Sequence, residues 1–144
     1  SNQNLKEIRE TNIQTINLPS EKHNSRPDFM VVYNNRIYPF RNKDIWSPPS
    51  GLFRVMQKTS NSIRFRPIPG KGYGINDPKV DSFLRRISGG DGACMLYFYP
   101  DSYGLFDELY NLLKKHDMNH GVNFIDKDGH LAFSTTEGTD ILPF

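Results

Sequence analysis

His116 and His120 stand four residues apart, the spacing that lets two imidazoles on one helix face share a zinc ion. The HExxH arrangement needs Glu after the first His, but Asp117 holds that place and no third ligand is evident. The pair is therefore read as a solvated helix end, and no metal or other cofactor is assigned. Asp126-Lys127-Asp128-Gly129 opens like a calcium loop, yet the later ligands and the closing Glu are missing. Its flanks alternate like strands, so it is read as a hairpin turn. Gly70-Lys71-Gly72-Tyr73-Gly74 could cradle a phosphate through backbone N–H groups. The Walker order GxxxxGK[ST] is not present, so a mobile loop is expected there.

Two nucleophile candidates meet similar objections. Cys94 follows Gly92-Ala93 rather than the Gln-Ala of the caspase signature, and it lies inside an apolar run where a thiol acts as a small hydrophobe. Ser102 follows a strand and precedes a helix, but Pro100 stands where a nucleophile elbow needs glycine. Asp101 and Ser102 read as a helix cap instead.

Charge is more informative than any single residue. The net charge of +2 over 144 residues conceals a division. Residues 1–35 are balanced, residues 36–86 carry eleven basic against three acidic groups, and residues 87–144 carry three basic against nine acidic. A local +8 beside a −6 can steer an anionic partner to one face. Arg54, Arg64, Arg66, Lys71, Arg85 and Arg86 are the candidate partner-binding residues. Arg54, Arg64 and Arg66, interleaved with Phe53, Phe65 and Tyr73, also make a nucleic acid bound by the basic segment 36–86 an alternative partner. One Cys excludes an internal disulfide framework, and no run approaches the roughly 18 apolar residues of a membrane span.

The elements that must position these groups follow from pattern. Residues 1–27 are a polar, stalk-like or disordered lead-in, with Leu5, Ile8 and Ile13 sparsely spaced ahead of a Pro-flanked polar run. Residues 28–144 form a single globular domain. Residues 29–33 are a continuous β-forming run, Asn34-Asn35 a two-residue turn, and residues 36–38 the returning strand, which Pro39 ends or places at an edge. Residues 52–56 and 62–66 make a second pair. Asp77-Pro78 caps a helix carrying Val80, Phe83, Leu84 and Ile87, which Gly89-Gly90 ends. Residues 93–99 form a buried strand, and a helix follows with Leu105, Phe106, Leu109, Leu112 and Leu113 on one stripe. Residues 122–125 and 130–133 pair as a final hairpin. The class is α+β, a mostly antiparallel sheet built from hairpins with two helices packed on it.

Two segments carry a resemblance. Arg26 to Tyr33 with Arg36 to Pro39, and Tyr97 to Ser102 continuing through Phe106, Leu109, Leu113, Gly121 and Phe124 to Phe133, resemble the opening and close of an uncharacterised bacterial domain. Together they cover about a third of the chain. Tyr33 stands where that family usually has Cys, and Asp128-Gly129-His130 replaces an aromatic-containing turn. Such domains usually follow an N-terminal membrane helix similar to those of TolR/ExbD and MotB-like proteins, then a coiled coil. The resemblance implies no catalytic residues. It implies a non-enzymatic, extracytoplasmic interaction domain of a membrane-anchored protein, accessory to a TolR/ExbD-like complex. Its partner would be a cell-envelope protein, with self-association through the stalk. Contact with the membrane would come only through a segment outside this chain. The NxxLSxxRA stretch of peptidoglycan-binding relatives is absent.

Overall fold

A computed structural model describes residues 26–88, 92–136 and 140–143; residues 1–25 of the stalk-like lead-in and the Gly89-Gly90 helix stop lie outside the described residues. Among the described residues, eight strands and two α-helices follow in chain order. They are β1 (Asp28–Tyr33), β2 (Arg36–Phe40), β3 (Phe53–Lys58), β4 (Ser62–Pro67), α1 (Pro78–Ile87), β5 (Ala93–Phe98), α2 (Phe106–Lys115), β6 (Asn119–Phe124), β7 (Leu131–Thr136) and β8 (Asp140–Pro143). The α+β class holds, and four of the six strand pairings are antiparallel.

The strands divide between two four-stranded sheets, ordered β2-β1-β5-β6 and β3-β4-β7-β8. The first sheet lies between the helices and the second sheet. Along β1, Phe29 and Val31 join the cluster shared with Phe53, Phe65 and Phe133 of the second sheet. Met30 and Val32 join the cluster shared with Val80, Leu84, Leu109 and Leu113 of the helices. β5 alternates the same way, Met95 and Tyr97 toward the second sheet, Leu96 and Phe98 toward the helices. Two buried faces explain why both strands read as unbroken apolar runs. β4 has one buried face, so Ile63 and Phe65 are buried while Arg64 and Arg66 between them are half-buried.

The Asn34-Asn35 turn forms as expected, both residues at positive φ (57° and 56°), the backbone of a type I′ hairpin. β2 is an edge strand, and it accommodates Pro39 opposite Met30. Asp77 caps α1 by accepting the Lys79 N–H at 2.8 Å, with Pro78 at the first helical position.

The final hairpin does not form. β6 starts earlier, at Asn119, and runs parallel to β5, with Leu96 opposite Val122. β7 crosses to the second sheet and pairs with β4 and with β8, a strand the sequence pattern did not suggest. The physical reason lies in β5, which is buried on both faces and needs a ladder partner at each edge. β1 fills one edge, and the β5-α2-β6 crossover supplies the other. Asp126 to Gly129 is therefore a link between sheets. It closes on itself through Gly129 N–H to Asp126 O at 2.8 Å, and the Tyr99 hydroxyl holds Gly129 O at 2.7 Å.

Asp101 and Ser102 do not cap α2. A 3-10 turn, Pro100–Leu105, precedes that helix, and no side chain caps α2 at Leu105. The Asp101 carboxylate instead accepts the Asn34 N–H at 3.0 and 3.1 Å, and Ser102 Oγ accepts the Asn35 N–H at 2.8 Å. The pair thus ties the first hairpin turn to the chain leaving β5. Ser102 is fully buried, so Ser102→Ala leaves the Asn35 N–H short of its partner and should lower stability by about 1–2 kcal/mol. Urea denaturation measures the loss, and amide exchange at Asn35 should quicken.

Candidate interaction surface

The groups singled out for chemistry are each held in a structural contact. Cys94 is fully buried, and burial pushes its thiol far above the ordinary range near 9. The two histidines part: His116 Nε2 meets Asp81 Oδ1 at 2.8 Å, while the His120 ring lies edge-on to Tyr110 at 5.3 Å. Among the described residues, no three His, Cys, Asp or Glu side chains gather closely enough to hold a metal ion. The glycine loop is pinned rather than mobile at its centre. Tyr73 and Ile37 exchange backbone hydrogen bonds at 2.7 and 2.8 Å, and Gly72 lies against the Tyr38 ring.

Asp81 links the helices. Besides His116 it pairs with Arg85 one turn on, and with Lys115 of α2 at 3.5 Å. The His116 hydrogen bond, helped by Arg85 and Lys115, holds its carboxyl below the usual carboxylate range. A depressed folded-state pKa contributes stability above the unfolded value, near 3.8, that disappears as pH falls through the folded value. Asp81→Asn should therefore be less stable than the parent at neutral pH, with the gap closing below about pH 4. Thermal unfolding followed from pH 7 down through and below the unfolded-state value near 3.8 tests this.

The six candidate cations occupy three places. Arg54 and Arg66 are cross-strand neighbours on β3 and β4, and Arg64 lies opposite Gln57 and Ala132. Lys71 belongs to the loop bridged to β2, at the edge of the first sheet. Arg85 and Arg86 are exposed on α1, across the first sheet from β4. Arg66 is engaged within the fold, donating to Gly129 O and Lys127 O at 3.4 Å and lying over the Tyr33 and Tyr99 rings at 5.8 and 5.7 Å. Arg85 is engaged with Asp81.

An unforeseen feature lies at the carboxyl ends of β5 and β6, the end of a parallel pair where sheet proteins commonly bind ligands. Phe98, Tyr103, Phe106 and Phe124 line an open groove of about 590 Å³. Their rings form a connected set: Phe98 meets Phe106 at 5.6 Å and Phe124 at 6.3 Å, and Tyr103 stands edge-on to Phe124 at 5.4 Å. Tyr110 continues the band, stacked on Phe106 at 6.2 Å with the Lys114 ammonium 5.9 Å above it. Tyr103 and Phe124 are 47% and 48% exposed. Apolar side chains are left so far in water without necessity only rarely as a contiguous set. A signal for this groove exists in sequence: Tyr103, Phe106 and Tyr110, spaced by three and four, make an aromatic stripe separate from Leu109 and Leu113, which turn into the core.

Comparison with known proteins returns no family profile, no curated protein and no solved structure that matches this chain.

Proposed function

We propose that the domain is a non-enzymatic protein-interaction module that binds its partner through the aromatic groove at the ends of β5 and β6. The groove carries the reading: four aromatic side chains line about 590 Å³ of open surface, the kind of anchor-accepting pocket that dominates binding energy at interfaces. A nucleic-acid partner needs a continuous cationic track, and the six candidate cations are divided among the second sheet, a loop and α1. No helix among the described residues is long and apolar enough to cross a membrane. On the strength of the TolR/ExbD-like resemblance, the full-length protein would hold the domain on the extracytoplasmic side, with an anchor in sequence outside these 144 residues and a cell-envelope protein as partner.

A photo-crosslinking amino acid at position 124 of the full-length protein, expressed in its own cells, tests the reading, with position 86 on α1 as control. The expected result is a discrete adduct from 124, in the membrane fraction, that 86 does not give. No adduct from 124, or the same adducts from both positions, would overturn it.

A further inference from the structure

The two four-stranded sheets end on β2 and β6 in the first and on β3 and β8 in the second. A terminal strand is a template for a further strand unless something blunts it. β2 carries Pro39, and the loop at Tyr73 bonds back onto it through Ile37. β3 is interrupted by a bulge between Val55 and Gln57 and carries Arg54 and Lys58. β8 holds both Asp140 and Pro143 in its short span. β6, from Asn119 to Phe124, contains no proline and no Lys, Arg, Asp or Glu, and its register against β5 is unbroken. Among the described residues it is the edge that has none of these protections.

The Ile125 N–H donates to Phe98 O at 2.9 Å, which fixes the phase of the ladder. Counting back by twos, Gly121 and Asn123 turn their N–H and C=O groups toward β5, and His120, Val122 and Phe124 turn theirs to the free edge. Among the described residues nothing pairs with that edge. The side chains of the same three residues lie on the helix side of the sheet, because they stand opposite Cys94, Leu96 and Phe98. α2 runs back along them: Phe106 meets Phe98, the ladder partner of Phe124, and Tyr110 meets His120. The exposed Asp107 and Lys114 flank Tyr110 on its own helix face, three residues before it and four after. That face is therefore acidic toward the Phe124 end of β6 and basic toward the His120 end.

We infer that a second copy of this chain pairs with this edge, β6 against β6, about a two-fold axis at Val122. The inference rests on the interaction reading above and names the partner. An antiparallel pair centred there sets Val122 opposite Val122 and His120 opposite Phe124, so the outward N–H and C=O groups of His120, Val122 and Phe124 all find partners. Among two-fold centres on β6, only this one uses all of them. The His120–Phe124 cross-strand pair joins the Tyr103–Phe124 rings of one copy to the Tyr110–His120 rings of the other. The axis also reverses α2, bringing Asp107 of each copy toward Lys114 of the other. A foreign strand would have to match the ladder, the rings and the charges separately, whereas this strand matches them itself. The contact is isologous and closed, so assembly stops at two molecules sharing one sheet, with four strands from each.

Sedimentation of the 144-residue chain at increasing concentration should show monomer passing to dimer and nothing larger. Val122→Pro removes one outward N–H and leaves the bonds of Gly121 and Asn123 to β5 in place. That variant should keep the parent far-UV spectrum, as β2 keeps its pairing with Pro39, and should stay monomeric. Cysteine variants read the register without depending on it. Residues opposite each other in such a pair have Cα atoms about 5.5 Å apart, within disulfide range, whereas the two copies of residue 120 would lie roughly 14 Å apart. Under mild oxidant Val122→Cys should give a covalent dimer and His120→Cys should not, since the native Cys94 is buried. Lys114→Glu should weaken dimerisation by about tenfold, and adding Asp107→Lys to the same chain should restore it. A parent that stays monomeric at every concentration, a folded Val122→Pro chain that still dimerises, a disulfide that forms as readily through residue 120 as through 122, or a Lys114→Glu chain as tightly dimeric as the parent would overturn the inference. The crosslinking test separates the two failures: a foreign adduct from position 124 with a monomeric parent retains the groove as a docking site and removes the second copy as its partner.

Discussion

Above about pH 10 the protein should unfold steeply and cooperatively, releasing several protons at once. Three groups produce this. Burial raises the Cys94 thiol and the Tyr97 and Tyr99 hydroxyls far above their ordinary values near 9 and 10. Tyr38, whose hydroxyl donates to Ile68 O at 2.6 Å, is raised by burial as well. For each group the folded state keeps its proton after the unfolded state has lost it. Stability is thus complete below the unfolded-state value and declines as pH rises from there toward the folded-state value. Each such group removes about 1.4 kcal/mol per pH unit within that window, so three together remove on the order of 4 kcal/mol per unit. Against a total of roughly 5–15 kcal/mol, that is enough to end the folded state between about pH 10 and 12. Tyrosinate absorbance and far-UV circular dichroism recorded together would check it: the part of the absorbance change owed to the buried Tyr97 and Tyr99 should appear with the loss of ellipticity. Ionisation of all seven tyrosines with the fold intact would contradict it. Tyr97→Phe should make the transition shallower.

Phe65→Ala should lower stability by about 3–5 kcal/mol. Phe65 is fully buried on β4 at the junction of the two sheets. Its ring stacks on Phe133 at 5.8 Å and meets Phe40 and Phe53 edge-on at 5.5 and 5.2 Å. Removing it leaves a cavity walled by rings from β2, β3 and β7. Stiff aromatic rings collapse poorly into such a space, which places the loss toward the upper end for core truncations. Urea denaturation should show a lower midpoint with an unchanged slope; a shift below about 1 kcal/mol would mean that the sheets are not joined through this ring.

Local elements were legible because local chemistry specifies them. Asn34-Asn35 accepts positive φ, so the first hairpin could be read from two residues and their β-forming flanks. Asp77-Pro78 marked the start of α1 because a carboxylate acceptor and a residue without an N–H suit a helix N-terminus. Asp101 and Ser102 misled for a related reason. Their side chains accept backbone N–H groups wherever these present themselves, and the nearest needy ones belong to Asn34 and Asn35, far away in sequence. The aromatic groove was hidden differently. Phe98 and Phe124 end neighbouring strands only because β6 pairs with β5, and the pattern of residues 122–133 had suggested another partner. Arg54, Arg64, Arg66, Lys71, Arg85 and Arg86 were a run of charge in sequence, and folding spread them over three places.

The sequence by itself determined the α+β class, most of the strands, both helices, the buried character of β1 and β5, and the sign of charge in each half. These depend on periodicity, turn chemistry and composition, all carried by residues close together in the chain. The tertiary structure alone decided which strand lies beside which, the division into two sheets, and the gathering of Phe98, Tyr103, Phe106 and Phe124 into one surface. Such choices depend on burying both faces and satisfying both edges of a central strand, a condition met by the whole chain at once and written in no single segment of it.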